Sequence, residues 1–337
     1  MSNIVSHWSE TTVQTATSRE VHMLPNRRIN RKGADMTKFQ FTRRQLIGSA
    51  LAGTVVALAT RSTAATGFSV GERQVIALSD GHFDMPSDMF LGTPEGLRAQ
   101  LGNPTRIAAN TYAHRAGERT FMFDAGAGTS DSITRAFPTA SKLPDDLNAA
   151  GIAPSDVTDV VITHMHPDHV GGLAVNGQAA FPNARIHIAA AEWKFWNACD
   201  FATTGPEALR PMIAAVQSLS KTVESNVILH NGAADLGEGV SVIPAPGHTP
   251  GHTAIVLDGG SEQFIVVGDL TVHEDVHFAN PDYGWALDVD GGLAVASRKA
   301  LLDMIATDGL IMGAAHVSKP GLGRVNREGE GYRFVPL

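Results

Sequence analysis

Four side chains able to ligate a metal fall within six positions of Thr163-His164-Met165-His166-Pro167-Asp168-His169-Val170-Gly171-Gly172. Neutral imidazole and carboxylate suit zinc and similar divalent ions. The apolar run Asp159–Thr163 reads as a buried strand entering this loop, and a turn after a strand can aim alternate side chains at one point. Further donors follow in the same setting: His248 and His252 in Pro246-Gly247-His248-Thr249-Pro250-Gly251-His252, Asp269 at the end of FIVVGD, and His316 after LIMGAA. Such a set suits a divalent-metal site, and a bound divalent ion can deprotonate water near neutral pH. The chain has no G-x-S-x-G elbow, and its lone cysteine, Cys199, excludes a disulfide framework or a Cys-rich metal site.

These donors need strands to carry them to one edge. Arg73–Ser79, Asn110–Arg115 and Arg119–Asp124 read as strands, the last two joined by the hairpin loop Ala116-Gly117-Glu118. Pro144 opens a short helix that Gly151 closes. Arg185–Ala189, Val240–Pro244, Thr253–Leu257 and Gln263–Val267 are further strands. Ala190–Asn197, Glu207–Ser220 and Ala294–Ala306 are helices, the last with Leu301, Leu302 and Ile305 at helical spacing. Strands and helices interleave without a repeat, so residues 66–337 form one α/β unit.

Charge separates a leader from that unit. Residues 1–65 hold nine Lys/Arg and three Asp/Glu, whereas residues 66–337 hold 17 and 31. A body this acidic repels phosphate backbones, which argues against nucleic acid as a partner and favours uncharged substrates. Arg43-Arg44, the apolar stretch Leu46–Thr60 and Ser62-Thr63-Ala64-Ala65 follow the order of an export signal of the twin-arginine type. Fifteen residues are short for a membrane span, so the mature form is expected to lack one. The expected destination is the periplasm or the exterior of a bacterium.

The ordered set of histidines and aspartates resembles the metallo-β-lactamase superfamily, whose fold is an α/β, four-layer αββα sandwich with a two-metal site. The resemblance implies that His164, His166 and His248 hold one ion, that Asp168, His169 and His316 hold the other, and that Asp269 bridges them. It implies two divalent ions, zinc first, with Mn, Fe or Co accommodated by the same donors. Asp124 matches the early Asp that orients the His loop, and His252 reads as a support beside the ligands. Trp196 would wall a leaving-group pocket, with Trp193, His273 and His277 at its margin and Phe137 and Phe278 as weaker candidates. His187 and His230 are expected to be structural, and Cys199 a buried thiol without a role.

A closer resemblance covers Ile162–Ala184, Ala191–Trp196, Val276–Asp282 and Gly329–Pro336, which look like methyl parathion hydrolase and its lactone- and arylester-hydrolysing relatives, built as homodimers. Segments 87–104, 203–225 and 287–292 depart from that group. The implied activity is hydrolysis of a neutral ester, lactone or organophosphate triester by a bridging hydroxide, with Asp269 and Asp168 as catalytic carboxylates. Thioester hydrolysis and iron-dependent persulfide dioxygenation are the alternatives of the same fold. Export is expected to require Arg43 and Arg44. Replacing both with lysine should strand an active precursor in the cytoplasm, and N-terminal sequencing of exported protein should begin at Ala65 or Thr66.

Overall fold

The computed structural model describes residues 66–337, so the leader and its paired arginines lie outside the described residues. The first half of this body builds one sheet of seven strands: β1 (Thr66–Val70), β2 (Arg73–Met85), β3 (Thr105–Ala116), β4 (Arg119–Phe123), β5 (Asp159–Val161), β6 (Arg185–Ala189) and β7 (Val227–His230). The second half builds another: β8 (Ala234–Gly237), β9 (Val240–Pro244), β10 (Thr253–Asp258), β11 (Gln263–Val266), β12 (Ile311–Gly313), β13 (Leu322–Glu328) and β14 (Gly331–Pro336). In both sheets the spatial order equals the chain order. Strands β1 to β4 pair antiparallel and β4 to β7 parallel. In the second sheet only β11 and β12 run parallel.

Period-2 alternation sets which side chain faces where. On β4, Phe121 and Phe123 point into a cluster that also takes Val242, Ile255, Phe264 and Val266 from the second sheet, while Met122 faces the other way. That shared cluster is the interior between the sheets. The outer face of the first sheet is covered by α1 (Leu143–Ala149), α2 (Ala190–Trp196) and α3 (Arg210–Val223), through Leu143, Leu147, Trp196, Ile213 and Val216. The outer face of the second is covered by α4 (Gly291–Asp308), through Leu301, Leu302 and Ile305. Helix, sheet, sheet and helix give the four layers expected.

Local differences have local causes. Strand β2 runs six residues beyond Ser79 because a bulge between Ser79 and Gly81 absorbs the break in alternation. Gly81 sits at φ 97°, and a Cβ there would lie 2.0 Å from the Thr139 carbonyl oxygen. Glu207–Leu209 is a 3₁₀ turn and the helix proper begins at Arg210, with Pro211 in its first turn. Helix α4 starts at Gly291, three residues earlier than periodicity indicates, because the Asp290 carboxylate accepts the Leu293 N–H at 3.0 Å. Cys199 is exposed, not buried, since it lies in the turn after α2.

Phe264 is wholly buried between the sheets, edge-on to Phe68 and Tyr112 with ring centroids 5.3 and 5.2 Å away. Phe264→Ala would leave a cavity there and should cost about 3–5 kcal/mol of stability, measured by urea unfolding.

Candidate metal centre

The parallel strands β4 and β5 end at the same edge, and so do β11 and β12. Asp124 follows β4, the His164–His169 loop follows β5, Asp269 follows β11 and His316 follows β12. The turn between β9 and β10 supplies His248. All seven expected ligands therefore gather at one edge of the sandwich. Among the described residues they form two groups of converging donor atoms: His164, His166, His248 and Asp269, and Asp168, His169 and His316.

In the first group His164 Nε2, His166 Nδ1 and His248 Nε2 make a triangle with sides of 2.9, 2.9 and 3.2 Å. Asp269 Oδ2 lies 3.3 Å from His248 Nε2 and 3.7 Å from His164 Nε2. Its other oxygen, Oδ1, lies 3.0 Å from both His169 Nε2 and His316 Nε2. Asp168 Oδ2 lies 3.5 and 3.4 Å from the same two nitrogens. One carboxylate thus faces one donor group with each oxygen.

The remaining ring nitrogens fix the tautomers. The Thr163 hydroxyl donates to Asp124 Oδ2 at 2.8 Å, so its oxygen accepts from His164 Nδ1 at 3.2 Å. His169 Nδ1 donates to Asp124 Oδ2 at 2.8 Å, His248 Nδ1 to Asp288 Oδ1 at 2.9 Å, and His316 Nδ1 to the Ala108 carbonyl at 2.7 Å. Each turns its Nε2 inward, toward the donor groups. His169 Nε2 and Asp269 Oδ1 are buried without an aligned hydrogen bond, which a common cation between them would relieve. The donor set fits two divalent ions.

Electrostatics agree. Burial disfavours charge on His169, His248 and His316, but Asp269 outweighs it, helped by Asp168 at His169 and His316 and by Asp288 at His248. His169 is raised well above the ordinary histidine range, His248 to about 9 and His316 to about 10. Burial, with the neighbouring imidazoles, pushes His166 down to about 3 and His164 well below its usual value. Burial would raise Asp269, yet His316, His169 and His164 hold it well below the carboxylate range. The carboxylates demand positive charge, and cations would release the protons that otherwise supply it.

Supporting residues divide into expected and unexpected. Asp124, at φ 64°, accepts the Thr163 N–H at 2.7 Å besides holding His169. His252 accepts the Asp269 N–H at 3.2 Å through Nε2 and donates Nδ1–H to the Ala245 carbonyl at 3.1 Å. Sequence reading missed Glu192, which lies in a segment it noticed for aromatics. Its buried carboxylate takes the N–H groups of Met165 and Gly251 and the Trp196 indole N–H at 2.9, 2.9 and 2.7 Å, tying the His164 loop to the His248 turn. A Cβ on Gly251 would lie 2.1 Å from the Glu192 nitrogen, so the turn has room for glycine alone. Asp288 was also missed, in a loop marked only as divergent.

The expected pocket residues separate. Trp196 packs its ring 5.4 Å from His166 and lines a small apolar cleft with Phe201, Met212, Leu287 and Val289. Trp193 is half-buried against the outer core, and Phe278 belongs to the core under α4. His273 caps the turn Glu274–His277 by accepting the Asp275 N–H at 3.2 Å, and His277 accepts the Val272 N–H at 3.1 Å. Phe137 packs edge-on against Phe83, 5.0 Å away. His187 and His230 join buried Asp159 in a separate cluster: His187 Nε2 lies 2.9 Å from Asp159 and its Nδ1 3.0 Å from His230.

Asp124→Ala should weaken the ion held by His169 about 10–100-fold and the ion held by His164 less, because His169 loses its direct acceptor whereas His164 keeps the Thr163 hydroxyl. Isothermal titration of the metal-free protein measures it, and equal loss of both ions would contradict it.

Residues 104–316 match the metallo-beta-lactamase superfamily. A Mycobacterium tuberculosis protein described as a "probable metallo-hydrolase" is 31% identical over 146 residues, 41% of this chain and 44% of that protein. An N-acyl homoserine lactonase of a Bacillus species is 26% identical over 177 residues, 52% of this chain and 62% of that protein. The chain thus spans about half the length of the curated relatives it matches. Among solved structures, AidC, a dizinc quorum-quenching lactonase, superposes with a TM-score of 0.73 at 27% identity, over 81% of this chain and 97% of its own. Four layers, a metal-fitting edge and the matched span agree: this chain belongs to the metallo-beta-lactamase superfamily.

Proposed function

We propose that the chain is a dinuclear metal-dependent hydrolase of neutral, apolar lactones, esters or organophosphate triesters. The observation that carries this is Asp269 standing between two His/Asp groups, one carboxylate oxygen toward each. Two divalent ions held there supply a water deprotonated near neutral pH and a Lewis acid for the scissile carbonyl or phosphoryl oxygen. Asp168 has a quarter of its side chain exposed, whereas the Asp269 side chain is 5% exposed. It is the carboxylate that meets solvent, and we assign it the proton released on attack.

The cleft beside His166 adds substrate preference. Trp196, Phe201, Met212, Leu287 and Val289 offer no charge to a bound group, so an apolar acyl or aryl arm is accepted and an ionic one is not. The acidic body favours the same class. Export to the periplasm through the twin-arginine signal and assembly as a homodimer belong to this reading. No helix among the described residues is long and apolar enough to cross a membrane.

A hydrolysis panel of lactones, aryl esters, thioesters and phosphotriesters, run with metal analysis, tests the reading. Two divalent ions and oxygen-independent turnover of uncharged lactones or esters are expected. A single iron with oxygen uptake, or a preference for aliphatic thioesters, would replace it with one of the alternatives. Asp269→Ala should lower occupancy of both ions and reduce turnover by more than about 100-fold. Near-normal turnover in that variant would sink the bridging role.

A further inference from the structure

The buried charges of Asp288 and Arg298 lie outside the ligand set yet converge on it. Asp288 is on the loop before α4, with 2% of its side chain exposed, and Arg298 on α4 is wholly buried. Asp288 Oδ1 accepts His248 Nδ1–H at 2.9 Å, while Oδ2 accepts the Trp285 N–H at 3.1 Å and faces Arg298 Nη2 at 3.7 Å. Arg298 donates through Nη1 to the carbonyls of Pro281 and Tyr283 at 2.9 and 2.7 Å, and through Nε to the carbonyl of Leu270. Leu270 is the neighbour of Asp269. The loop also clasps the His248 turn by its backbone, Val289 N–H to the His248 carbonyl at 3.0 Å and Asp290 N–H to that of Gly247 at 2.9 Å.

We propose that Asp288 and Arg298 are a positioning pair that holds His248 in its Nε2-donor orientation and anchors it to the Asp269 loop, so that affinity at the His164/His166/His248 site depends on them. A buried guanidinium is costly without a counter-ion, and a buried carboxylate without donors is too. Each is retained here by the other and by main-chain groups of two segments, one at Leu270 and one over 281–285. The pair acts through His248 and touches no substrate. Leu287 and Val289 flank Asp288 and line the apolar cleft, so the segment that steadies one ligand also shapes the substrate wall.

This inference rests on the reading of His248 as a ligand, not on which ester is hydrolysed. Metal-free wild type, Asp288→Asn, Asp288→Ala and Arg298→Met are titrated with Co²⁺, following stoichiometry and visible absorption. The wild type should take two ions. Asp288→Ala should bind one of them about 10–100-fold more weakly with an altered absorption band, while the other keeps its affinity. Asp288→Asn, which retains an acceptor for Nδ1–H, should lose less, and Arg298→Met should weaken the same ion. Should the alanine and methionine variants not fold, Asp288→Asn carries the test, with the melting temperature of its metal-free form expected to match wild type. Parallel weakening of both ions, or unchanged binding of both, would overturn the proposal. Selective loss in a protein without hydrolase activity would sustain it and defeat the hydrolase reading instead.

Discussion

The structure depends on a mutual requirement of buried charge. Asp269 has lost nearly all contact with water, and its ionised form persists only because four imidazole nitrogens surround it within 3.7 Å. Those imidazoles reach it from three places: the loop after β5, the β9–β10 turn and the end of β12. Neither sheet alone assembles the site. The first supplies His164, His166, Asp168 and His169, and the second supplies His248, Asp269 and His316. Closure of the two sheets over Phe121, Phe123, Phe264 and Val266 is therefore a precondition for the metal edge, which links core packing directly to chemistry. It also bears on the proposed export route: a chain whose donors converge only after folding acquires its metal most readily if it folds before translocation.

The convergence of the donors was legible because each lies just beyond a short apolar strand, and strand ends at one edge are a small target. An α/β unit followed from interleaved helices and strands, and the four layers from the family resemblance. What stayed hidden had no pattern to reveal it. Glu192, Asp288 and Arg298 are single charged residues in segments whose local character is aromatic, divergent or helical, and their tie to the His-bearing loops arises from contacts that reach as far as 59 positions along the chain. The extension of β2 past Ser79 was invisible because a bulge at Gly81 resets the alternation that marks a strand. Cys199 was misplaced for a simpler reason: cysteine is commonly buried, and nothing in its neighbours announced a surface turn.

Helical aromatics illustrate how one spacing yields different fates. Trp193 and Trp196 are one turn apart on α2, yet Trp196 is driven inward by its indole hydrogen bond to Glu192 and reaches the His166 ring. Trp193 stays half-buried on the outer core. The residue that ties the two His-bearing loops together thus also fixes the wall of the cleft. A change at Glu192 would disturb loop geometry and cleft at once, so activity alone would not separate its two effects.

The supporting acceptors hold the ring orientations independently of what sits between the donor groups. Without ions, Asp269, with Asp168 and Asp288, holds His169, His248 and His316 above the ordinary histidine range and so favours protons on them. Bound ions would replace the inward-facing Nε2 protons of these three rings and leave their Nδ1–H groups in place, because Asp124, Asp288 and the Ala108 carbonyl accept them. The rings therefore need not turn when the charge carrier changes. Orientation is set by one face of each imidazole and chemistry by the other, and the acceptors on the orienting face lie in elements that the two sheets and α4 hold rigid.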